Sequence, residues 1–415
     1  MAKGPQQGGP GLAMPRRRRL SAAGRRIVKP VFRKVSLLVP ILIGMIWINW
    51  SVDPVMLYDG HFEDPSRHPY VGVITQDLLA GKSHSPVALY SERLVDEAMF
   101  RARPQIDMLV LGTSMAKPIH REMFPGLSFF NASLCGGRFE EMITMWEIAR
   151  SLGVRPKRVL LQLDTRATVG KRIVPISAEW STIFRQARQR LCGEDEPLDH
   201  DSGFIPLIDP DVAADQAAGF TGGQGLLHPY DTLISPRYLQ LSLLFLWTKW
   251  LSSNAIPVLF VREDRHKLFA DGSVEWCKRW RLHKPADFHF PTEQSQVPVI
   301  AAEWMRPVES QRRLFEAFVL DIQKSGAQVE FVLLPSNPWF YGLAKKEFQE
   351  AGKTLPSADT ETYLRAFAAH HRIRIHGSLD PARAGVVEED FVDMLHMRRA
   401  SVARLFASEK EGRTP

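Results

Sequence analysis

From residue 105 onward, short continuous apolar runs alternate with longer stretches whose apolar positions recur every three or four residues. "DMLVLG", "LSFFNASL" (127–134), "KRVLLQLDT" (157–165), "AQVEFVLLPSNP" and "RIRIHG" are the short runs. Each is bounded by turn residues, which predicts five buried strands. Between them lie helical periods. In "RFEEMITMWEIARSLG" the spacing of Phe139, Ile143, Trp146 and Arg150 marks a helix that Gly153 stops. "PVESQRRLFEAFVLDIQKSG" carries Pro307 near its start and Leu314, Phe318 and Ile322 at intervals of four. A helix around 359–370 and a last one reaching about residue 409 complete the series. Continuous apolar strands alternating with helices predict an α/β domain over 105–410: three layers, a mostly parallel sheet with helices on both faces.

The rhythm fails between about 166 and 300, which reads as a large insertion rich in tryptophan and arginine. Its one long apolar stretch, "LQLSLLFLWTKWL" (239–251), is short for a membrane span and interrupted by Lys249, so it predicts a packed or amphipathic helix. The aromatic and arginine side chains of this region suit a carbohydrate groove; packing accounts for them equally well. Residues 53–104 form a poorly periodic lead-in, and 411–415 a short tail.

Charge changes the picture at the amino terminus. The chain has 415 residues and a formal net charge of +7, but residues 1–34 hold ten Lys or Arg and no Asp or Glu. The remainder carries 43 basic against 46 acidic residues, so the folded part has no basic field to favour nucleic acid. Behind this basic, disordered-looking tail, "VSLLVPILIGMIWINWSV" (35–52) has no charged residue in 18 positions. As a helix it would extend about 27 Å, with Trp47 and Trp50 near its far end. The pattern predicts a transmembrane signal anchor: a single pass through the cytoplasmic (inner) membrane, amino terminus cytoplasmic, main domain periplasmic or extracellular. A cleaved signal peptide and a buried soluble helix are the alternatives.

Three cysteines, Cys135, Cys192 and Cys277, are too few and scattered for a disulfide scaffold or metal cluster. Cys192 with Cys277 is the one pairing worth naming. His370, His371 and His376 in "AAHHRIRIHG" lack partnered acidic or cysteine ligands. "GFTGGQG" lacks the Lys-Ser/Thr of a phosphate loop and reads as a plain loop. No metal or diffusible cofactor is called for.

Chemistry in a parallel sheet collects at the carboxyl ends of the strands. Three polar landmarks fall at such ends: Ser114 in "LGTS", Asn131 with Gly136, and Asp164 in "QLDT". Pro335, Ser336 and Asn337 end the fourth strand as a structural turn, with Asn337 facing the pocket as the alternative. "DFVDMLHMRR" places Asp393 and His396 just ahead of the last helix. Acyl transfer needs a hydroxyl, an imidazole to take its proton, a carboxylate to fix that imidazole, and backbone donors for the oxyanion. Ser114, His396 and Asp393 are the residue types required. Taken alone, Ser114 is an ordinary turn or cap residue, and "GTSMA" departs from the G-x-S-x-G elbow. Their order along the chain is what joins them.

That order resembles the SGNH (GDSL-like) hydrolase superfamily, and most closely its membrane-anchored branch of alginate and exopolysaccharide O-acetyltransferases. "GTS" (112–114) stands where that family has Gly-Asp-Ser, and "DMLH" (393–396) matches its Asp-x-x-His block. The resemblance covers roughly 105–165 and 305–410. It implies Ser114 as nucleophile, His396 as base and Asp393 as its partner. The family's second-block glycine corresponds to Gly136 or Gly137, and its Gly-x-Asn-Asp block has no faithful match. Backbone N–H groups of Ser114 and the Gly136 region are then the oxyanion candidates, since an ionised Asp164 cannot donate. Asn131, Asp164 and Asn337 remain substrate-binding candidates, Asp164 facing either a sugar hydroxyl or its own loop.

The resemblance implies an extracytoplasmic O-acyltransferase, O-acetyl by analogy, working on a cell-envelope or exported polysaccharide through an acyl-serine. A multi-pass membrane protein would deliver the acyl donor. A glycan esterase with the same three residues, and a catalytically inactive scaffold of an exopolysaccharide complex, are the rival readings. The insertion is the natural candidate for a lid that shields acyl-serine from water.

Overall fold

The computed structural model describes residues 38–52, 69–84, 91–135, 137–165, 178–193, 233–236, 238–240, 242, 243, 246, 266–276, 309–350, 352 and 354–407. In chain order the elements are helices α1 (38–52), α2 (Pro69–Leu79) and α3 (Glu92–Ala102), strands β1 (Met108–Leu111) and β2 (Phe129–Asn131), α4 (Phe139–Ser151), β3 (Arg158–Leu163) and α5 (Ala178–Cys192). A short ribbon follows, β4 (Lys267–Leu268) and β5 (Val274–Glu275), then α6 (Glu309–Lys324), β6 (Gln328–Leu333), α7 (Pro338–Glu350), α8 (Pro356–His371), β7 (Arg374–Gly377) and α9 (Arg399–Ala407).

Five strands form one sheet in the order β2-β1-β3-β6-β7, and every neighbouring pair is parallel. The ribbon is a separate antiparallel pair. Strand alternation sorts the core into two clusters. One gathers Leu109, Leu111, Val159, Leu161, Phe331 and Leu333 with Ile143 and Trp146 of α4, Phe315 and Phe318 of α6 and Leu364 of α8. The other joins Met108, Val110, Leu160 and Val332 to Met115, Ile119 and Phe124 and to Val402, Leu405 and Phe406 of α9. Successive side chains of a strand point to opposite faces, so β1, β2, β3 and β6 each feed both clusters.

The chain leaves β1 for one edge of the sheet and returns to place β3 on the other side of β1. This reversal puts the sheet's topological switch point beyond the carboxyl ends of β1 and β3, the place where such sheets bind ligands. Ser114 follows β1, and Asp164 follows β3.

The membrane expectation is corrected. Among the described residues no helix is long and apolar enough to cross a membrane. The described part of helix α1 covers 38–52. Near its end Asn49 is buried, donating to the carbonyls of Leu233 (2.9 Å) and Ser235 (3.3 Å) and accepting from the Ser242 hydroxyl (3.3 Å). A polar residue satisfied by another segment of the chain marks a packed end rather than a lipid-facing one. The signal anchor, the transmembrane part of the expected fold, the inner-membrane and periplasmic placement, and the membrane-anchored partners all fall with it.

Residues 1–37, 136, 194–232 and 277–308 lie outside the described residues. So do Gly136, the loop "GFTGGQG", most of 239–251, and Cys277 of the pairing with Cys192.

Candidate functional site

Ser114 opens a single 3₁₀ turn, Ser114–Ala116, directly beyond β1. Thr113, not Ser114, caps it: the Thr113 hydroxyl accepts from Met115 N–H at 3.3 Å. That hydroxyl also donates to Gln162 Oε1 at 2.9 Å, and the Thr113 backbone N–H reaches the same oxygen at 2.9 Å. Gln162 is fully buried near the end of β3. Thr113, at the position where the resembled family has aspartate, thereby fastens the Ser114 turn to the neighbouring strand. Gly112 makes this possible, since a Cβ there would stand 2.8 Å from both Ala116 Cβ and Gln162 Cβ. No acceptor for the backbone N–H of Ser114 appears in the described hydrogen bonds.

The carboxyl-terminal contribution comes from the loop ahead of α9. Asp393 Oδ1 accepts the backbone N–H groups of Leu395 and His396, both at 2.7 Å, so the carboxylate shapes its own turn. Its other oxygen accepts His396 Nδ1–H at 2.6 Å. His396 Nε2 in turn accepts from the Ser114 hydroxyl at 2.8 Å. Burial pushes the Asp393 carboxyl up, but the His396 hydrogen bond and charge and the two turn N–H groups outweigh it and hold it below the ordinary carboxylate range. The loop is closed by Val392 N–H on the His396 carbonyl at 2.8 Å. It is tied to the end of β6 by Asn337 N–H on the Met394 carbonyl at 2.9 Å.

The other expected residues are placed as follows. Asn131 is fully buried and donates to the carbonyls of Ala116 and Ile119, each at 2.8 Å, while its Oδ1 accepts Ser133 N–H at 3.0 Å. Its amide holds the Ser114 turn from below. Asn337 is buried too, and its Oδ1 accepts Trp339 N–H at 2.9 Å, capping α7. Asp164 is half-buried just past β3. Gly137, the alternative to Gly136, packs tightly: a Cβ would meet the Leu134 carbonyl at 2.8 Å.

Lys117, on the same turn, is buried and lies 3.4 Å from Glu92 Oε1; the other Glu92 oxygen accepts Cys135 N–H at 2.7 Å. This chain links the serine turn to the loop before α4. Burial pulls the Lys117 ammonium down, but Glu92, Asp96 and Cys135 more than reverse it, so its affinity for the proton is raised.

The ribbon meets the same turn from the other side. Val274 N–H donates to the Lys117 carbonyl at 2.8 Å, and Asn131 N–H to the Asp271 carbonyl at 2.8 Å. Arg121 N–H reaches Asp271 Oδ2 at 3.0 Å. Arg399 donates to the Ser273 hydroxyl at 3.0 Å with its guanidinium 4.4 Å from the centroid of Phe269. Trp276, just beyond β5, packs on His396 with ring centroids 4.6 Å apart. Gln162, Lys117 and Trp276 are the residues that sequence reasoning missed. Gln162 left a signal, one polar residue inside "RVLLQL"; Trp276 stood among the aromatic residues of 166–300 with nothing to single it out.

The arrangement can take a proton from Ser114, hold the resulting imidazolium against Asp393, and return the proton to a leaving group. Among the described residues no group of three or more His, Cys, Asp or Glu side chains could hold a metal ion. Neither a comparison with protein-family models nor one with curated proteins finds a match.

Proposed function

We propose that the protein is a serine-dependent acyl-transfer enzyme of the SGNH type, an O-acyltransferase toward a glycan hydroxyl, with ester hydrolysis as the same chemistry when water is the acceptor. The observation that carries this reading is the unbroken hydrogen-bonded series Ser114–His396–Asp393, at 2.8 and 2.6 Å. His396 Nε2 removes the hydroxyl proton as Ser114 Oγ attacks the ester carbonyl. The tetrahedral oxyanion takes the Ser114 N–H. The carbonyl re-forms, the ester C–O bond breaks, and His396 delivers the proton to the leaving alcohol, giving acyl-Ser114. An acceptor hydroxyl then yields its proton to His396 and attacks the acyl carbon, and Ser114 leaves with that proton. Asp393 keeps Nδ1 protonated throughout, so Nε2 is always the working nitrogen. The acetyl group and the glycan come from the family resemblance of "GTS" and "DMLH".

The test is acetylation by p-nitrophenyl acetate, followed by mass spectrometry of the peptide containing Ser114. A burst of p-nitrophenol with acetyl on Ser114, absent in Ser114→Ala, is expected. Equal bursts from both proteins would sink the assignment.

A further inference from the structure

We infer that Trp276 is the acceptor wall of this site, and that its ring selects a hydroxyl carried on an apolar C–H face, a sugar ring, over water. The inference rests on the acyl-transfer reading above and assigns a specificity-determining residue to its second step.

An acceptor must bring its oxygen within about 3 Å of His396 Nε2 to be deprotonated. One side of that imidazole is covered by the Trp276 ring, 4.6 Å away between centroids and tilted by 51°. An acceptor seated at Nε2 therefore borders the indole. His266 also packs on the ring, in a T-shaped contact at 4.7 Å between centroids. Its position is fixed further by the ribbon's hydrogen bonds to Lys117 and Asn131.

The half-buried indole has its Nε1 sealed from solvent, with no hydrogen-bond partner among the described residues. What this side chain can offer a ligand is ring carbon. Water gains nothing from such a surface, whereas the C–H face of a pyranose gains dispersion and an aromatic contact. The wall thus biases acyl-Ser114 toward a sugar hydroxyl. Trp276 lies in the stretch whose aromatic residues first suggested a carbohydrate groove, and its ring packs on the base.

The experiment loads the full chain with p-nitrophenyl acetate in the presence of the methyl glycosides of glucose, mannose and galactose, and measures acetyl-glycoside against acetate. Trp276→Leu is expected to lower the ratio of transfer to hydrolysis about tenfold, and Trp276→Phe to hold it within about twofold. A ratio is independent of how much protein is folded. Equal ratios in the unsubstituted protein and Trp276→Leu overturn the inference. So does a failure of the unsubstituted protein to form any acetyl-glycoside while acetyl-Ser114 accumulates. Loss of acetyl-Ser114 in Trp276→Leu overturns it in favour of a role in holding His396. Absence of acetyl-Ser114 in the unsubstituted protein instead removes the acyl-transfer reading itself.

Discussion

His396 Nε2 stands 2.8 Å from Ser114 Oγ across 282 positions of sequence. Two separately built loops produce the contact. One is the turn that Thr113 and Gln162 pin beyond β1, the other the turn that Asp393 closes around its own backbone N–H groups. Each turn carries its own hydrogen bonds, so neither depends on the Ser114–His396 contact alone for its shape.

Ser114→Ala and His396→Ala are each expected to lower p-nitrophenyl acetate turnover by about 10³-fold or more. The double variant should be no worse than either single one, since the two groups act as a unit. Asp393→Asn should cost about 10²- to 10⁴-fold, because an amide no longer fixes the Nδ1–H tautomer. Additive losses in the double variant would mean that the two residues serve separate tasks.

The five strands of the sheet all lie within apolar runs that can be read directly, β1 within "DMLVLG" and β3 within "KRVLLQLDT". Leu314, Phe318 and Ile322, spaced by four, all enter the core. Such periodicities survive because each face of the sheet is buried. Ser114, Asp393 and His396 were legible as residue types at strand and helix ends. The roles of Asn131 and Asn337 were not, because whether a buried amide faces a ligand or a backbone carbonyl depends on tertiary neighbours. Trp276 was illegible for the same reason: its ribbon has two-residue strands, too short to show any alternation. The 35–52 segment misled because apolar composition alone does not distinguish a span from a helix whose Asn49 is packed against another segment.

Gln162→Ala removes the oxygen that satisfies both the backbone N–H and the hydroxyl of Thr113. Leaving buried donors unpaired costs about 1–3 kcal/mol, and the Ser114 turn loses its anchor. Lower stability in urea together with slower acylation of Ser114 is expected. A destabilised variant that acylates at the parent rate would show that the turn keeps its position without β3.

Asp96 gives stability an unusual dependence on pH. Burial pushes its carboxyl up to about 8; Lys117 and Arg93 oppose the rise and Glu92 adds to it. Oδ2 of Asp96 meets no hydrogen-bond partner among the described residues. Between the ordinary carboxylate value and about 8, the unfolded chain has lost a proton that the folded chain keeps. The stabilisation is complete below pH 4 or so and disappears as pH rises through about 8. Asp96→Asn removes this dependence. It should gain on the unsubstituted protein from pH 5 to pH 9 by on the order of 2–5 kcal/mol in urea unfolding. Parallel stability curves across that range would show that Asp96 is ionised in the fold.

Gly272 sits where the ribbon meets the end of β2. Its φ is +77°, and a Cβ there would lie 2.2 Å from the Asn131 carbonyl oxygen. Gly272→Ala therefore meets two penalties, a left-handed backbone and a collision with main chain that cannot swing aside. Gly326 has a φ of +93° but nothing within 4 Å of an added Cβ, so Gly326→Ala bears the first penalty alone. The control should cost about 1 kcal/mol and leave acylation unchanged. Gly272→Ala should cost about 1–3 kcal/mol more and disturb the Asn131 N–H bond to the Asp271 carbonyl. Because the same ribbon seats Trp276 on His396, acetyl transfer to a methyl glycoside should fall further than hydrolysis. Equal melting temperatures and equal transfer ratios for the two alanine variants would mean that the ribbon's close contact with Asn131 is dispensable to both stability and site.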